Sequence, residues 1–228
     1  MKIKTSILSA ALLLGAISAS NAAIVCVSNV GDLTTDVLYA NPNGTLMSSG
    51  TVTMGYFSAG ITDSSINTNA KLFSSLGSFT VVSSFTPGGV MGNLGVGGSG
   101  YADNSDVATS MAGGQLTSAS ALYGRTIYSI VTNAASLAAA VSTSSFAVVN
   151  IGTFGDDTTI QGELVYSSSP VGLTPVLGTL GTYTGDPTGL LGSNSTFTTL
   201  QMVSAIPETS TALLGGLGVL GLLRRRRI

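Results

Sequence analysis

Three acidic side chains close together in the sequence are the first candidates for chemistry. Asp156 and Asp157 are adjacent, and Glu163 follows them. A glycoside hydrolase needs two carboxylates placed across a cleft, which these residues could supply, although adjacent acidic residues in a turn more often face solvent. The chain contains no histidine, which excludes Ser-His-Asp and Cys-His catalysis and histidine-ligated zinc. We therefore predict a protein that is not an enzyme, with a carboxylate-dependent hydrolase as the weakest alternative.

Binding chemistry is the other use for these side chains. Ca²⁺ prefers several oxygen ligands, and the stretches 103–106 (Asp-Asn-Ser-Asp) and 156–157 offer some of them without completing a calcium loop. The stretch 95–100 matches G-x-G-x-x-G, but turn residues follow it where a dinucleotide site needs a helix. The tyrosines are dispersed, so no platform for stacking a sugar is visible. We expect no cofactor and no metal site, and a carbohydrate- or calcium-binding module remains an alternative function.

The elements at the two ends of the chain are better defined than any catalytic group. Residues 209–223 carry no charge and are apolar from residue 212 onward, and Arg224, Arg225, Arg226 and Arg227 follow them directly. An apolar helix over 209–223 spans about 22 Å, which crosses a membrane where the bilayer thins and the arginines reach the headgroups. Arginine clusters of this kind stay on the cytoplasmic side. The sequence therefore predicts a C-terminal transmembrane helix with the preceding chain outside.

A short polar motif precedes this helix. It consists of Pro207, Glu208, Thr209 and Ser210. The motif, the apolar helix and the arginine cluster together resemble the PEP-CTERM sorting signal of exported Gram-negative bacterial proteins, although Thr209 stands where that family usually has a second proline. The resemblance covers residues 206–228. It implies that the motif is recognised by a membrane-embedded exosortase, a cysteine-type enzyme that cleaves near it, so this chain would be a substrate for processing.

The N-terminus carries a matching export signal. Lys2 and Lys4 precede an apolar stretch over 7–19, and small residues end at Ala22, where a signal peptidase would cleave. Residues 1–22 are therefore predicted to be a signal peptide with a helical apolar core, handled by the general secretion machinery. Both termini place positive charge in the cytoplasm, so the two signals agree.

Between these ends, 23–166 is predicted to be a β-rich domain and 167–205 a spacer. The strands expected in the domain are short and bounded by turn signals, such as Asn43-Gly44 after Val37-Leu38-Tyr39. This pattern favours a mostly β fold, an antiparallel β-sandwich or an open barrel. The range 167–205 is rich in glycine, serine, threonine and proline, a composition typical of linkers.

Charge limits the partners of the exported part. Lys71 and Arg125 are its only basic side chains, and nine acidic ones oppose them. Such a surface does not suit nucleic acid. We expect an exported protein, transiently anchored in the inner membrane and then at the cell surface or in the extracellular matrix, with exopolysaccharide as a candidate partner.

Overall fold

A computed structural model describes residues 24–26, 37–87, 90–91, 96–97, 109–110, 122–155, 165–167, 173–188 and 193–205. Thirteen strands lie in these ranges: β1 Ile24–Cys26, β2 Val37–Ala40, β3 Thr51–Phe57, β4 Phe79–Phe85, β5 Val90–Met91, β6 Val96–Gly97, β7 Thr109–Ser110, β8 Thr126–Thr132, β9 Phe146–Thr153, β10 Val165–Ser167, β11 Pro175–Leu177, β12 Thr179–Thr184 and β13 Thr196–Gln201. Helix α1 spans Asn69–Ser75, and short 3₁₀ turns span Asp63–Ser65, Leu76–Ser78 and Leu137–Ala139. The predicted mostly β fold is confirmed.

A five-stranded antiparallel sheet in the order β11-β9-β8-β3-β4 forms the centre of the fold. Its middle strands are rich in the β-branched and aromatic residues that suit a pleated surface. They are buried on both faces over most of their length, which explains why they read as nearly continuous apolar runs.

One face of the central sheet packs against a second sheet, in the order β12-β13-β2. Residues of both sheets share the first core, among them Tyr39 of β2, Val52 of β3, Val149 of β9 and Leu200 of β13. The prediction of a spacer over 167–205 is therefore wrong for the residues that the structure describes there. Glycine and threonine in this range form a paired hairpin, β12 and β13, because β2 supplies a partner that the local composition does not reveal.

The opposite face of the central sheet is covered by α1 and its flanking turns. Leu72 of α1 and Ile66 before it pack with Tyr128, Ile130 and other residues of the sheet in a second core. The helix begins after Thr68, whose Oγ1 accepts a hydrogen bond from the Lys71 amide at 3.3 Å. The central sheet is thus the middle layer of three.

The strand pairs differ from the prediction in one respect. Most described pairs are antiparallel, and no sheet of the described residues closes into a barrel. However, β2 runs parallel to β13, and β1 runs parallel to β10. Parallel neighbours need long connections, so residues distant in sequence meet in these pairs. The Asn43-Gly44 turn is as predicted, because the chain returns from β2 with an antiparallel bridge between Ala40 and Leu46.

The predicted signal peptide and transmembrane helix lie outside the described residues. Within the described ranges, no helix has the length and apolar character needed to span a bilayer.

Candidate functional site

The residues that the sequence singled out for function are not among those the structure describes. These are Ala22, the motif Pro207, Glu208, Thr209 and Ser210, and the cluster Arg224, Arg225, Arg226 and Arg227. The candidate carboxylates Asp156, Asp157 and Glu163 and the calcium candidates at 103–106 also lie outside. In the described ranges, no three histidine, cysteine, aspartate or glutamate side chains gather as metal ligands. Two concave features of the described body remain as candidate sites.

The first feature, the tyrosine cleft, is a cavity of about 320 Å³ lined by residues 57–61, 123–126 and Tyr128. The end of β3 forms one side, and the turn that enters β8 forms the other. This turn is held in place because the Gly124 amide donates to the Phe154 carbonyl at 2.9 Å and the Phe154 amide donates to the Arg125 carbonyl at 3.0 Å. Gly124 has a φ of 72°, in the left-handed region that glycine adopts without strain.

A fixed polar group lies behind the floor of the tyrosine cleft. The Tyr128 hydroxyl donates to Asp63 Oδ1 at 2.8 Å, and Asn150 Nδ2 lies 3.2 Å from Oδ1 and 3.3 Å from Oδ2. Burial raises the pKa of Tyr128, and the hydrogen bond to Asp63 raises that pKa further. The phenol therefore stays a hydrogen-bond donor, and the exposed Asp63 carboxylate is held in one orientation as an acceptor.

Aromatic and cationic groups complete the rim of the cleft. The Arg125 guanidinium carbon lies 5.8 Å from the centroid of the Tyr56 ring, close enough for a cation–π interaction. Tyr56 in turn meets Phe154 edge to face, with ring centroids 6.2 Å apart. Tyr123 stands beside them with 47% of its surface exposed. Sequence reasoning missed this gathering, because the tyrosines come from different elements; the adjacent Tyr123-Gly124-Arg125 was the available signal.

The second feature, the exit cavity, has a volume of about 700 Å³ and lies where the described chain ends. None of the lining side chains that the structure describes is charged. Its walls come from α1 and the residues before it, the loop before β9, the edge strand β11 and the last described residues: Asn67, Thr68, Asn69, Ala70, Phe73, Ser142, Thr143, Val176, Leu177, Gly178, Val203, Ser204 and Ala205.

The chain that borders the exit cavity is bound to the central sheet by an arrangement we call the exit clamp. The Val203 amide donates to the Phe146 carbonyl at 2.8 Å, and the Phe146 amide donates back to the Val203 carbonyl at 3.3 Å. The same Val203 carbonyl accepts a third hydrogen bond, from Asn69 Nδ2 at 3.0 Å. One residue earlier, the Met202 amide donates to the Ala40 carbonyl at 3.1 Å. The end of the body is therefore fixed to both sheets and to α1.

The side-chain carbonyl oxygen of Asn69 lacks a hydrogen bond from the described residues. Asn69 Oδ1 is buried and has no hydrogen-bond partner among the described residues, and other atoms of Asn69 line the exit cavity. A buried acceptor without a donor costs about 1–3 kcal/mol, so such atoms usually meet a partner.

Comparison with protein-family models, with curated proteins and with solved structures found no match for this chain. The residues of the two concave features indicate what each could bind. The tyrosine cleft combines an exposed ring and a cation, with an oriented carboxylate behind its floor, which suits binding of a polar ligand. The exit cavity is uncharged and largely apolar, which suits an uncharged chain segment.

Proposed function

We propose that this chain is a non-enzymatic exported protein of the cell surface or extracellular matrix, whose C-terminal signal is processed by an exosortase-type enzyme. In this scheme residues 206–228 hold the translocated body at the inner membrane until cleavage near Pro207 releases it. The signal peptide ending at Ala22 and the general secretion machinery deliver it there. The observation that supports this most directly is the exit clamp, since only Ser204, Ala205 and Ile206 separate Val203 from Pro207.

The exit clamp gives a transient anchor a firm attachment. Three extended residues reach only about 10 Å, so a helix that starts shortly after the motif would keep the body close to the bilayer. A pull on the tail would act on the hydrogen bonds between Val203 and Phe146 and thus on the central sheet. We interpret the two sheets that share the first core as the sandwich predicted from the sequence, and residues 173–205 as part of that body.

Two observations support the proposal that the protein is not an enzyme. The chain has no histidine, and the Asp63 carboxylate behind the tyrosine cleft is engaged by Tyr128 and Asn150. Nucleic acid is not among the proposed partners, because Lys71 and Arg125 are the only basic residues of the exported part.

Intact mass of the protein recovered from a Gram-negative host that has the sorting enzyme tests the proposal. We expect a product that lacks Met1–Ala22 and the chain beyond about Pro207. The variant Pro207→Ala should keep its tail, because the motif's recognition residue is lost. Pro187→Ala, which removes a proline in the turn between β12 and β13, is the matched control and should be processed like the unmodified protein. Recovery of the unmodified protein with Arg224–Arg227 still attached would mean a permanent anchor and would refute sorting.

A second candidate function, binding of an uncharged saccharide, is favoured by the tyrosine cleft. Tyr123 offers an exposed ring for stacking, and the guanidinium of Arg125, which also lines the cleft, offers hydrogen-bond donors for hydroxyl groups. The cavity volume of about 320 Å³ lies at the lower end of the range for small-ligand sites. A cleft of this size would take one or two rings of an exopolysaccharide.

Titration of the protein with purified exopolysaccharide of the producing cells tests this function. Tyr123→Ala is expected to weaken binding about two- to tenfold, because an aromatic contact is typically worth about 0.5–1.5 kcal/mol. The matched control is Tyr183→Ala in β12, which removes a partly buried tyrosine on the other sheet and should leave the affinity unchanged. Equal affinities for both variants would place binding elsewhere or exclude it.

A further inference from the structure

We infer that the exit cavity is the docking site of the two residues that follow the described chain, Ile206 and Pro207. Docking there would hold the start of the predicted sorting motif against the folded body. The inference about docking stands on the cavity itself; only its consequence for processing rests on the proposed function.

Chain continuity is the first argument. The exit clamp fixes Val203 at the cavity, and Ser204 and Ala205 form part of the cavity wall. The Cα atom of Ile206 lies about 3.8 Å from that of Ala205 across a trans peptide. Ile206 is therefore tethered to the cavity wall by a single peptide bond, which gives it a high effective concentration at the cavity.

The chemistry of the cavity fits these two residues. Phe73, Val176, Leu177 and Val203 give it apolar walls, and none of the described residues that line it carries a charge. Ile206 and Pro207 are the last apolar, uncharged pair before Glu208. A carboxylate would lose its hydration in such a cavity without gaining a cation, so docking should stop before Glu208.

Docking would restrain the motif. A cleaving enzyme needs the chain around Pro207 in its own active site, so it would act on the undocked segment. The exit cavity would then set how fast the body is released from its anchor, and loosening the contact should speed processing.

Thiol labelling of the full chain in mild detergent tests docking without any sorting enzyme. In a background with Cys26→Ser, which removes the single cysteine, the thiol of Ile206→Cys should react with a maleimide about tenfold more slowly than that of Ser204→Cys. Ser204 is exposed and serves as the reference position.

Filling the cavity separates docking from shielding by the detergent. Ala70→Trp and Ser142→Trp each add a large side chain at an exposed position of the cavity wall. Either change should raise the labelling rate at Ile206→Cys to within about twofold of the reference. Equal rates at the two positions before filling, or a slow rate that filling leaves unchanged, would overturn the inference. The two proposals can fail separately. If labelling gives the expected rates but the tail is never cleaved in the host, docking stands and only the proposed function is refuted.

Discussion

Gly55→Ala is expected to lower the free energy of unfolding by about 3 kcal/mol or more. Gly55 lies in the middle of β3, beside the irregularity in its register with β4. A Cβ atom at this position would come within 2.0 Å of the Thr80 carbonyl oxygen and 2.9 Å of the Phe79 ring. The nearest atom belongs to the backbone, so the two strands would have to separate. Glycine here marks a close approach of two strands.

Gly77→Ala is the matched control for this prediction. Gly77 lies in the 3₁₀ turn after α1, and nothing stands within 4 Å of the site of an added Cβ. We expect a change near zero, or a gain of up to about 1 kcal/mol from a less flexible unfolded chain. Denaturant unfolding of the full chain in mild detergent, followed by circular dichroism, measures both variants. Equal stabilities for the two would show that β3 and β4 do not approach as described.

Leu200→Ala is expected to cost about 2–5 kcal/mol. Leu200 is fully buried in the first core, and β13 places it between Tyr39 of β2 and Leu180 of β12. Truncation would leave a cavity between the two sheets. The change falls within the range 167–205 that the composition had suggested to be a spacer, where truncation of a leucine would have almost no effect on stability.

Leu180→Ala, on the neighbouring strand, is the internal control. Leu180 is the residue directly opposite Leu200, but 49% of its surface is exposed. We expect its truncation to cost about 1 kcal/mol or less. Thermal unfolding of the two variants side by side measures the difference. A Leu200→Ala protein that melts together with the unmodified chain would mean that β12 and β13 are not part of the cooperative body.

The middle of the fold was predictable from the sequence because its signals are local. The strands β3, β4, β8 and β9 contain runs of β-branched and aromatic residues bounded by turns. The order of these strands in the sheet was not predictable, since pairing depends on contacts between segments that the local pattern does not specify.

The last two strands were missed for a physical reason. Thr179–Thr184 and Thr196–Gln201 are rich in threonine, which favours strands, but glycine and serine around them lower the apparent apolar content. Threonine has both a β-branched shape and a hydroxyl, so it suits an exposed edge strand as well as a linker. Only the buried pairing of β13 with β2 distinguishes the two, and that pairing is not local.

The candidate sites also differ in whether a local sequence pattern could reveal them. The sorting motif and the arginine cluster could be proposed because their order along the chain is itself the signal. The tyrosine cleft could not, since residues 57–61 after β3 and residues 123–128 around the start of β8 are far apart in the sequence. The exit cavity likewise depends on α1, β11 and the chain near Val203 coming together.

The parallel pairing of β13 with β2 has a consequence for the time at which the body can fold. Val37 pairs with Thr198, and Ala40 pairs with Gln201, so β13 is synthesised long after β2, with the rest of the central sheet between them. Closing so long a loop is entropically costly and makes folding slow. Until β13 has been made, β2 has no partner on that side and the first core lacks one wall. A nascent chain therefore stays incompletely folded until β13 has been synthesised, and in that state it can still be threaded through a narrow pore.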